Sequence, residues 1–361
     1  MMNIAEMKHK HLTMNVNTDT KHNRLTMNKN TDTKHKPLKT KIAAVDRWEP
    51  SPYVIAKAGT IIKQGGLVAF PTETVYGLGA DALNPGAVRR IYEAKGRPSD
   101  NPLILHVDCI AQAAGLVEMN HLAYKLMARF WPGPLTLVLP AKPEIPEITR
   151  GGLDTAAVRM PDNKIAQWLI GYAGTPIAAP SANLSGKPSP TNAETVLADM
   201  NGRIDMIIDG GSVKVGIEST VIDITNPEHV LLLRPGGLSR EDIESELQMP
   251  LEIPDTLSAK RSPGTHYRHY SPSVPVKIWH RESDFPECDY SSAGYIGIHK
   301  PVCATKRVVL FSDYTDYAHG LFAAFRRLEK DGYTCIIAEW PEEFSGICEG
   351  LRDRILRSAG D

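Results

Sequence analysis

One stretch limits what this chain can fold into. Residues 67–107, LVAFPTETVYGLGADALNPGAVRRIYEAKGRPSDNPLILHV, read as strand, loop, helix, loop, strand. Residues 67–70 are a short apolar run stopped by Pro71, as suits a buried strand, and Gly77 and Gly79 read as turn residues that follow it. Asn84 is a good helix N-cap, and Pro85 fits the first turn, where its missing N–H costs nothing. Val88, Ile91, Tyr92 and Ala94 then recur at helical spacing until Gly96. Strand, helix and strand in succession argue for an α/β fold, in which ligands gather at loops beyond strand ends.

The two loops carry the chemistry. Thr72, Glu73, Thr74 and Tyr76 are polar side chains placed directly after a buried strand. At the far end of the helix come Lys95, Gly96, Arg97 and Pro98, then Ser99, Asp100 and Asn101 before a strand over residues 102–107. Taken alone, Lys95 and Arg97 could simply complement the helix dipole. The opposed hydroxyl-bearing loop favours a ligand: an anion with hydroxyl groups, such as a nucleotide. Neither GxxxxGK[ST] nor GxGxxG occurs here, so a nucleotide would be held in some other way.

A length of 361 residues predicts two domains or more, and 42% apolar residues suffice for ordinary cores. The net charge of −1 hides an asymmetry: residues 1–41 hold nine Lys/Arg against three Asp/Glu, a net of +6, which leaves −7 for the rest. Within that segment LTMNVNTDTKH (12–22) returns as LTMNKNTDTKH (25–35), a period of 13 that fits no solenoid unit. So polar a segment predicts a disordered tail, with a basic arm for nucleic acid as the alternative. The cysteines at 109, 288, 303, 335 and 348 are odd in number and scattered, which argues for a reduced compartment and against structural zinc. His9 and His11 form no credible site, and no metal-ligating residues are assigned. No apolar run approaches membrane-spanning length and no apolar signal core opens the chain, so the expectation is a cytoplasmic protein without a membrane partner.

Residues 42–250 read as the catalytic domain. Helices are expected over 51–64, ended by Gly65 and Gly66, and over 121–130, stopped by Trp131 to Pro134; a strand follows over 135–139. Alternation over 151–161 puts Thr155 and Arg159 on one strand face. A buried arginine there needs a carboxylate, from Asp154, from Asp162 or from a ligand. A strand over 175–180 ends at Ser181, Ala182 and Asn183, and the lack of a GxSxG elbow argues against Ser181 as a nucleophile. Thr191 with Glu194 reads as a capping box for a helix running to Met200. Strands are expected over 206–211, 219–224 and 230–234, and Ser239 caps a helix over 240–247. Residues 251–275 read as a linker, yet SPGTHYRHYSP at 262–272 holds more Tyr, His and Arg than a spacer needs. Residues 276–361 alternate strands and helices as a small Rossmann-like parallel sheet, without a phosphate fingerprint and so without assigned chemistry.

PTETVYGLGAD followed by KGRPSDNPLILHV resembles the catalytic domain of the threonylcarbamoyl-AMP synthases, a YrdC-like fold. The resemblance runs on through WPGPLTLVLP, GLDTAAVRMP, PIAAPSANLSGKPSPT, IIDGG, GIESTVID, LLLRPG and SPGTHYRHYSP, over roughly residues 39–272 and more weakly beyond. It implies a twisted mixed sheet with flanking helices, joined to the smaller parallel-sheet domain of the long form. It implies that L-threonine and bicarbonate form an N-carboxylated threonine, which attacks ATP to give threonylcarbamoyl-AMP and pyrophosphate. Magnesium is expected on the phosphates, and the product is expected to supply a tRNA-modifying threonylcarbamoyltransferase machinery, with possible weak contact to tRNA itself. A carbamate is already anionic and nucleophilic, so such a site needs cations and aligned donors rather than a triad or paired acids. Carried over by the resemblance, Thr74, His106, Arg159, Ser181 and Ser219 would hold threonine. Lys95, Arg97, Asn101, Thr155, Asn183, Ser189, Arg234 and Tyr267 would hold ATP, with Lys95 and Arg97 at the chemistry and residues 262–272 closing over the nucleotide. Two other readings stay open on the residues alone: an RNA-binding module of the same fold, and a carbamoyl-adenylate enzyme acting on another amine.

Overall fold

The structure is a computed structural model that describes residues 39–254 and 270–360. Tyr267, most of the proposed closing segment and the repeat-containing tail lie outside the described residues. The first half of the large sheet's chain runs β1 (Lys41–Ala44), α1 (Pro52–Lys63), β2 (Val68–Pro71), β3 (Tyr76–Asp81), α2 (Pro85–Lys95), β4 (Ile104–His106), α3 (Ile110–Ala114) and α4 (His121–Phe130). The second half runs β5 (Leu135–Pro140), β6 (Thr155–Arg159), α5 (Lys164–Ala173), β7 (Ile177–Ala178), α6 (Ala193–Met200), β8 (Met206–Asp209), β9 (Thr220–Asp223), β10 (Leu231–Arg234) and α7 (Arg240–Leu247).

These strands form one mixed sheet in the order β1-β8-β2-β3-β7-β4-β6-β5-β9-β10. Strand β2 shows how it is buried. Leu67 and Ala69 join a core with α2, α4, α6 and α7, while Val68 and Phe70 join a second core with α1 and α5. A strand covered on both faces must be apolar throughout, which is why 67–70 is an unbroken apolar run.

Gly77 and Gly79 do not make a turn. They lie within β3, which pairs antiparallel with β2 through Phe70↔Gly77 and Val68↔Gly79. Gly79 is there for close approach, since a Cβ would fall 2.8 Å from both Ile177 Cγ2 and Phe70 Cε1. The capping box at Thr191 is also corrected, because the N-cap of α6 is Asn192, whose side chain accepts from the Thr195 N–H. Helix α2 begins and ends where the sequence signals lie, with Asn84 accepting from Gly86 and Ala87 N–H and Gly96 in the left-handed region.

A second sheet follows: β11 (Val276–Trp279), β12 (Ala293–Gly297), β13 (Arg307–Leu310) and β14 (Cys335–Glu339), with helices α8 (Tyr314–Lys330) and α9 (Cys348–Ala359). Its order is β11-β14-β12-β13 and every pairing is parallel, as the alternating pattern predicts. Helices α8 and α9 bury Phe322, Phe325, Leu351 and Ile355 in a core that also takes in Val75 and Ile217 from the large sheet's loops. No helix among the described residues is long and apolar enough to cross a membrane.

Candidate functional site

The large sheet places its polar strand ends on one face. Ile104, Val138, Ala157, Val221 and Leu233 form a small apolar patch there. By the two-residue period of strands, His106, Thr136 and Arg159 project from that same face, each two residues from a patch member. Beyond the patch, connecting segments converge on a pocket. It is lined by Thr72 and Thr74 before β3, Arg97 after α2, His106 and Arg159 at the ends of β4 and β6, Ser181 after β7, Glu218 and Ser219 before β9, Arg234 ending β10, and Tyr270.

The Thr72 hydroxyl builds the first of these segments. It accepts from Thr74 and Val75 N–H at 3.1 and 3.2 Å and donates to the Val75 carbonyl at 2.7 Å, which holds Thr74 at the pocket. Arg159 is buried and does have a protein carboxylate, but not from Asp154 or Asp162. Its Nη2 lies 2.6 Å from Glu73 Oε1, a charge contact too oblique to count as a hydrogen bond, and its Nε donates to the Gly133 carbonyl at 3.3 Å. Asp154 instead sits in solvent near Arg150.

His106 packs edge-on to Phe70 and has Nδ1 3.3 Å from the Ile104 carbonyl. Burial, reinforced by the Arg159 charge, pushes its pKa down to about 3, so it faces the pocket as a neutral imidazole. Arg234 is braced on Ser219, with Nη2 reaching the Ser219 carbonyl at 2.9 Å and the hydroxyl at 3.2 Å; that hydroxyl is 2.8 Å from Thr136 Oγ1. Arg97 donates to the Pro102 carbonyl at 3.2 Å, while its buried Nε has no partner among the described residues. Burial pushes the Arg97 pKa down to about 10, which leaves it a cation at neutral pH.

Thr74, Arg97, His106, Arg159, Ser181, Ser219 and Arg234 therefore share one pocket lining, and Lys95, Asn101, Thr155, Asn183 and Ser189 are not part of it. Lys95 turns its ammonium onto the Ser181 and Asn183 carbonyls, knitting the end of α2 to the segment after β7. Burial first, and then the Arg97 charge, push its pKa well below the usual lysine range. Asn183 donates to the Leu184 and Lys187 carbonyls, and the Ser189 hydroxyl donates to Glu218. The carbonyl of buried Asn101 accepts from the Tyr92 hydroxyl at 3.0 Å. Thr155 stands on the same face as Arg159 but at the other end of β6, roughly 13 Å away at about 3.3 Å per residue.

Sequence reasoning assigned no role to Glu218, and reached Tyr270 only as part of the 262–272 segment expected to close over the nucleotide. A signal existed for the former: an acid between Ile217 and the apolar strand that starts at Thr220 is headed for burial and must find a cation. Glu73 was named in its loop but not as the partner of Arg159.

A Pyrococcus abyssi protein named threonylcarbamoyl-AMP synthase is 44% identical to this chain over 333 residues, spanning 88% of this chain and 95% of the relative. A Bacillus subtilis protein of the same name is 42% identical over 346 residues, spanning 90% and 99%. The chain belongs to the threonylcarbamoyl-AMP synthase family. A family model described as telomere recombination (Sua5/YciO/YrdC) matches residues 60–236, and one described as threonylcarbamoyl-AMP synthase, C-terminal domain, matches residues 238–360. As a threonylcarbamoyl-AMP synthase family member, the chain thus matches both the Sua5/YciO/YrdC model and the C-terminal-domain model. The crystal structure of Pyrococcus abyssi Sua5 complexed with L-threonine aligns with a TM-score of 0.81 at 42% identity, covering 89% of this chain and 98% of that one.

Proposed function

We propose that this chain is an L-threonylcarbamoyladenylate synthase: it joins L-threonine, bicarbonate and ATP into threonylcarbamoyl-AMP with release of pyrophosphate. The observation that carries the reading is the convergence of three arginines, Arg97, Arg159 and Arg234, with the hydroxyl-bearing side chains of Thr74, Ser181 and Ser219 around one pocket. That is the lining an anionic nucleophile and a polyphosphate require. In this reading Arg159, His106, Thr74, Ser181 and Ser219 hold threonine, with neutral His106 offering a hydrogen bond rather than a charge. Arg97 and Arg234 meet the phosphates, and the carbamate oxygen attacks the α-phosphorus as pyrophosphate leaves. Preorganised cations then stabilise the charge that builds on the phosphoryl oxygens. Lys95, Asn101, Asn183 and Ser189 frame the walls behind that lining, and the proposed assignment of Thr155 and Tyr267 to ATP stands with them.

The residues do not fit a resident magnesium ion. Among the described residues no three His, Cys, Asp or Glu side chains cluster, and both carboxylate oxygens of Glu218 are engaged, by Ser189 and by Arg354. Magnesium is therefore proposed to arrive on ATP as part of the substrate. The division into a catalytic domain over 42–250, a linker over 251–275 and a C-terminal domain over 276–361 is kept with this reading, as is the role of the product in tRNA modification by a separate transferase. The test is incubation with ATP, bicarbonate and each amino acid in turn. Pyrophosphate and an adenylate of the mass of threonylcarbamoyl-AMP are expected only when threonine and bicarbonate are both present. Equal turnover with serine, or with no amino acid, would sink the proposal.

A further inference from the structure

The pocket wall contains a carboxylate in an awkward position. Glu218 lines the same pocket as Arg97 and Arg234, where a bare negative charge would repel phosphate oxygens. What meets it comes from the other sheet's domain. Arg354, on α9, is fully buried, and its Nε donates to Glu218 Oε2 at 2.7 Å while the Ser189 hydroxyl donates to Oε1. Arg354 also donates through Nη1 to the Pro235 carbonyl at 3.1 Å and to Asp353, and it lies over the ring of Tyr270, another lining residue, at 5.1 Å.

The contact is fixed by backbone. Gly350 of α9 faces Gly236, and a Cβ on Gly350 would come 3.0 Å from Gly236 Cα and 2.8 Å from Ile217 Cδ1. A Cβ on Gly236 would come 2.3 Å from the Glu218 carbonyl. Helix α9 is thus seated directly on the segments that carry Glu218 and Arg234, and Arg354 stands four residues beyond Gly350 on the same helix face. Burial pushes the Glu218 pKa up, but the Arg354 and Arg234 charges outweigh it and hold the carboxyl below its usual range.

We propose that Arg354 is a positioning residue of the nucleotide site: it neutralises Glu218 and holds it beside Ser189, so the C-terminal domain completes a pocket fit for a polyanion. The proposal rests on the functional reading above, which places ATP phosphates at Arg97 and Arg234. If the wild-type chain releases no pyrophosphate from ATP with threonine and bicarbonate, that reading fails before any variant is made.

The test compares Arg354→Met, Glu218→Gln and the double variant in the pyrophosphate assay, with melting temperatures measured alongside. Arg354→Met should raise the KM for ATP at least about tenfold, the worth of one charge-assisted contact, while leaving the KM for threonine within about twofold. Adding Glu218→Gln should return the ATP KM towards the wild-type value, because with the acid gone no counter-charge is needed. A double variant as impaired as Arg354→Met, or an Arg354→Met loss shared equally by ATP and threonine and tracking melting temperature, would show that Arg354 only latches two domains together. Should Arg354→Met fail to fold, Glu218→Gln alone decides: an ATP KM that falls or holds supports the proposal. A rise of about tenfold or more, the worth of a contact to substrate, overturns it.

Discussion

Two clusters of charge sit at strand ends in this protein, and they are put together differently. In the four-stranded sheet, the end of β14 carries Glu339, which is fully buried. Its Oε2 accepts from Ile298 and His299 N–H at 2.7 and 2.9 Å and from the Tyr295 hydroxyl at 2.9 Å, and its Oε1 meets His299 Nδ1 at 2.5 Å. Nothing in that cluster is left over. In the ten-stranded sheet, the ends of β4, β6 and β10 carry His106, Arg159 and Arg234 facing a pocket, beside an Arg97 whose buried Nε has no partner among the described residues. A buried polar group costs free energy until it is satisfied, so the saturated cluster reads as structure and the unsaturated one as a place kept for a ligand.

The comparison is broken most directly at Glu339. Replacing it with alanine leaves two N–H groups and a histidine without their acceptor, while the Tyr295 hydroxyl keeps the His299 carbonyl at 2.9 Å; the loss is in the range of roughly 3–5 kcal/mol for an uncompensated buried cluster. Glu339→Ala should therefore lower the melting temperature by several degrees. Pyrophosphate release, assayed at a temperature where circular dichroism shows the variant folded, should stay near the wild-type rate. Lost turnover at unchanged stability would mean that the second sheet has chemistry of its own.

Arg97 is the converse case. Its charge contributes little to the fold, since its hydrogen bonds go to the Pro102 and Asn101 carbonyls at 3.2 and 3.5 Å, and the second of these is at the limit of a hydrogen bond. Losing a charge-assisted contact to phosphate costs roughly 1.5–3 kcal/mol, so Arg97→Ala should weaken ATP binding at least about tenfold. The melting temperature should barely move. If calorimetry finds ATP affinity unchanged, Arg97 is a helix-end cation and no more.

The sequence made some of this contrast legible. Helices α2, α4, α7 and α8 carry caps and apolar stripes that predict their limits almost to the residue. Strand parity alone put Thr155 and Arg159 on one face. Other features are invisible to periodicity because they depend on what meets what. The glycines of β3 look like a turn until Phe70 and Ile177 are seen pressing against them. Glu73 and Arg159, or Glu218 and Arg354, lie far apart in the chain, and no local pattern joins them. Helix α5 was legible but passed over: Asn163 caps it and Ile165, Ala166, Leu169, Ile170 and Ala173 form its buried face at helical spacing.

The smallest effect sharpens the comparison by titration. Burial and Arg159 hold the folded-state pKa of His106 at about 3, below its ordinary value of 6.5. Between these values the unfolded chain binds the proton and the folded chain does not, so stability is whole above pH 6.5 and drains away as pH falls towards 3. The slope this one group adds is on the order of 1.4 kcal/mol per pH unit within that window. Denaturant melts at about pH 5.5 and 4.5 should show the wild-type chain losing about that much more than His106→Asn, whose side chain does not titrate there. Groups common to both proteins cancel in the difference. Identical slopes would mean that His106 already reaches water in the folded chain, and the pocket would then be a wetter place than the unsaturated cluster implies.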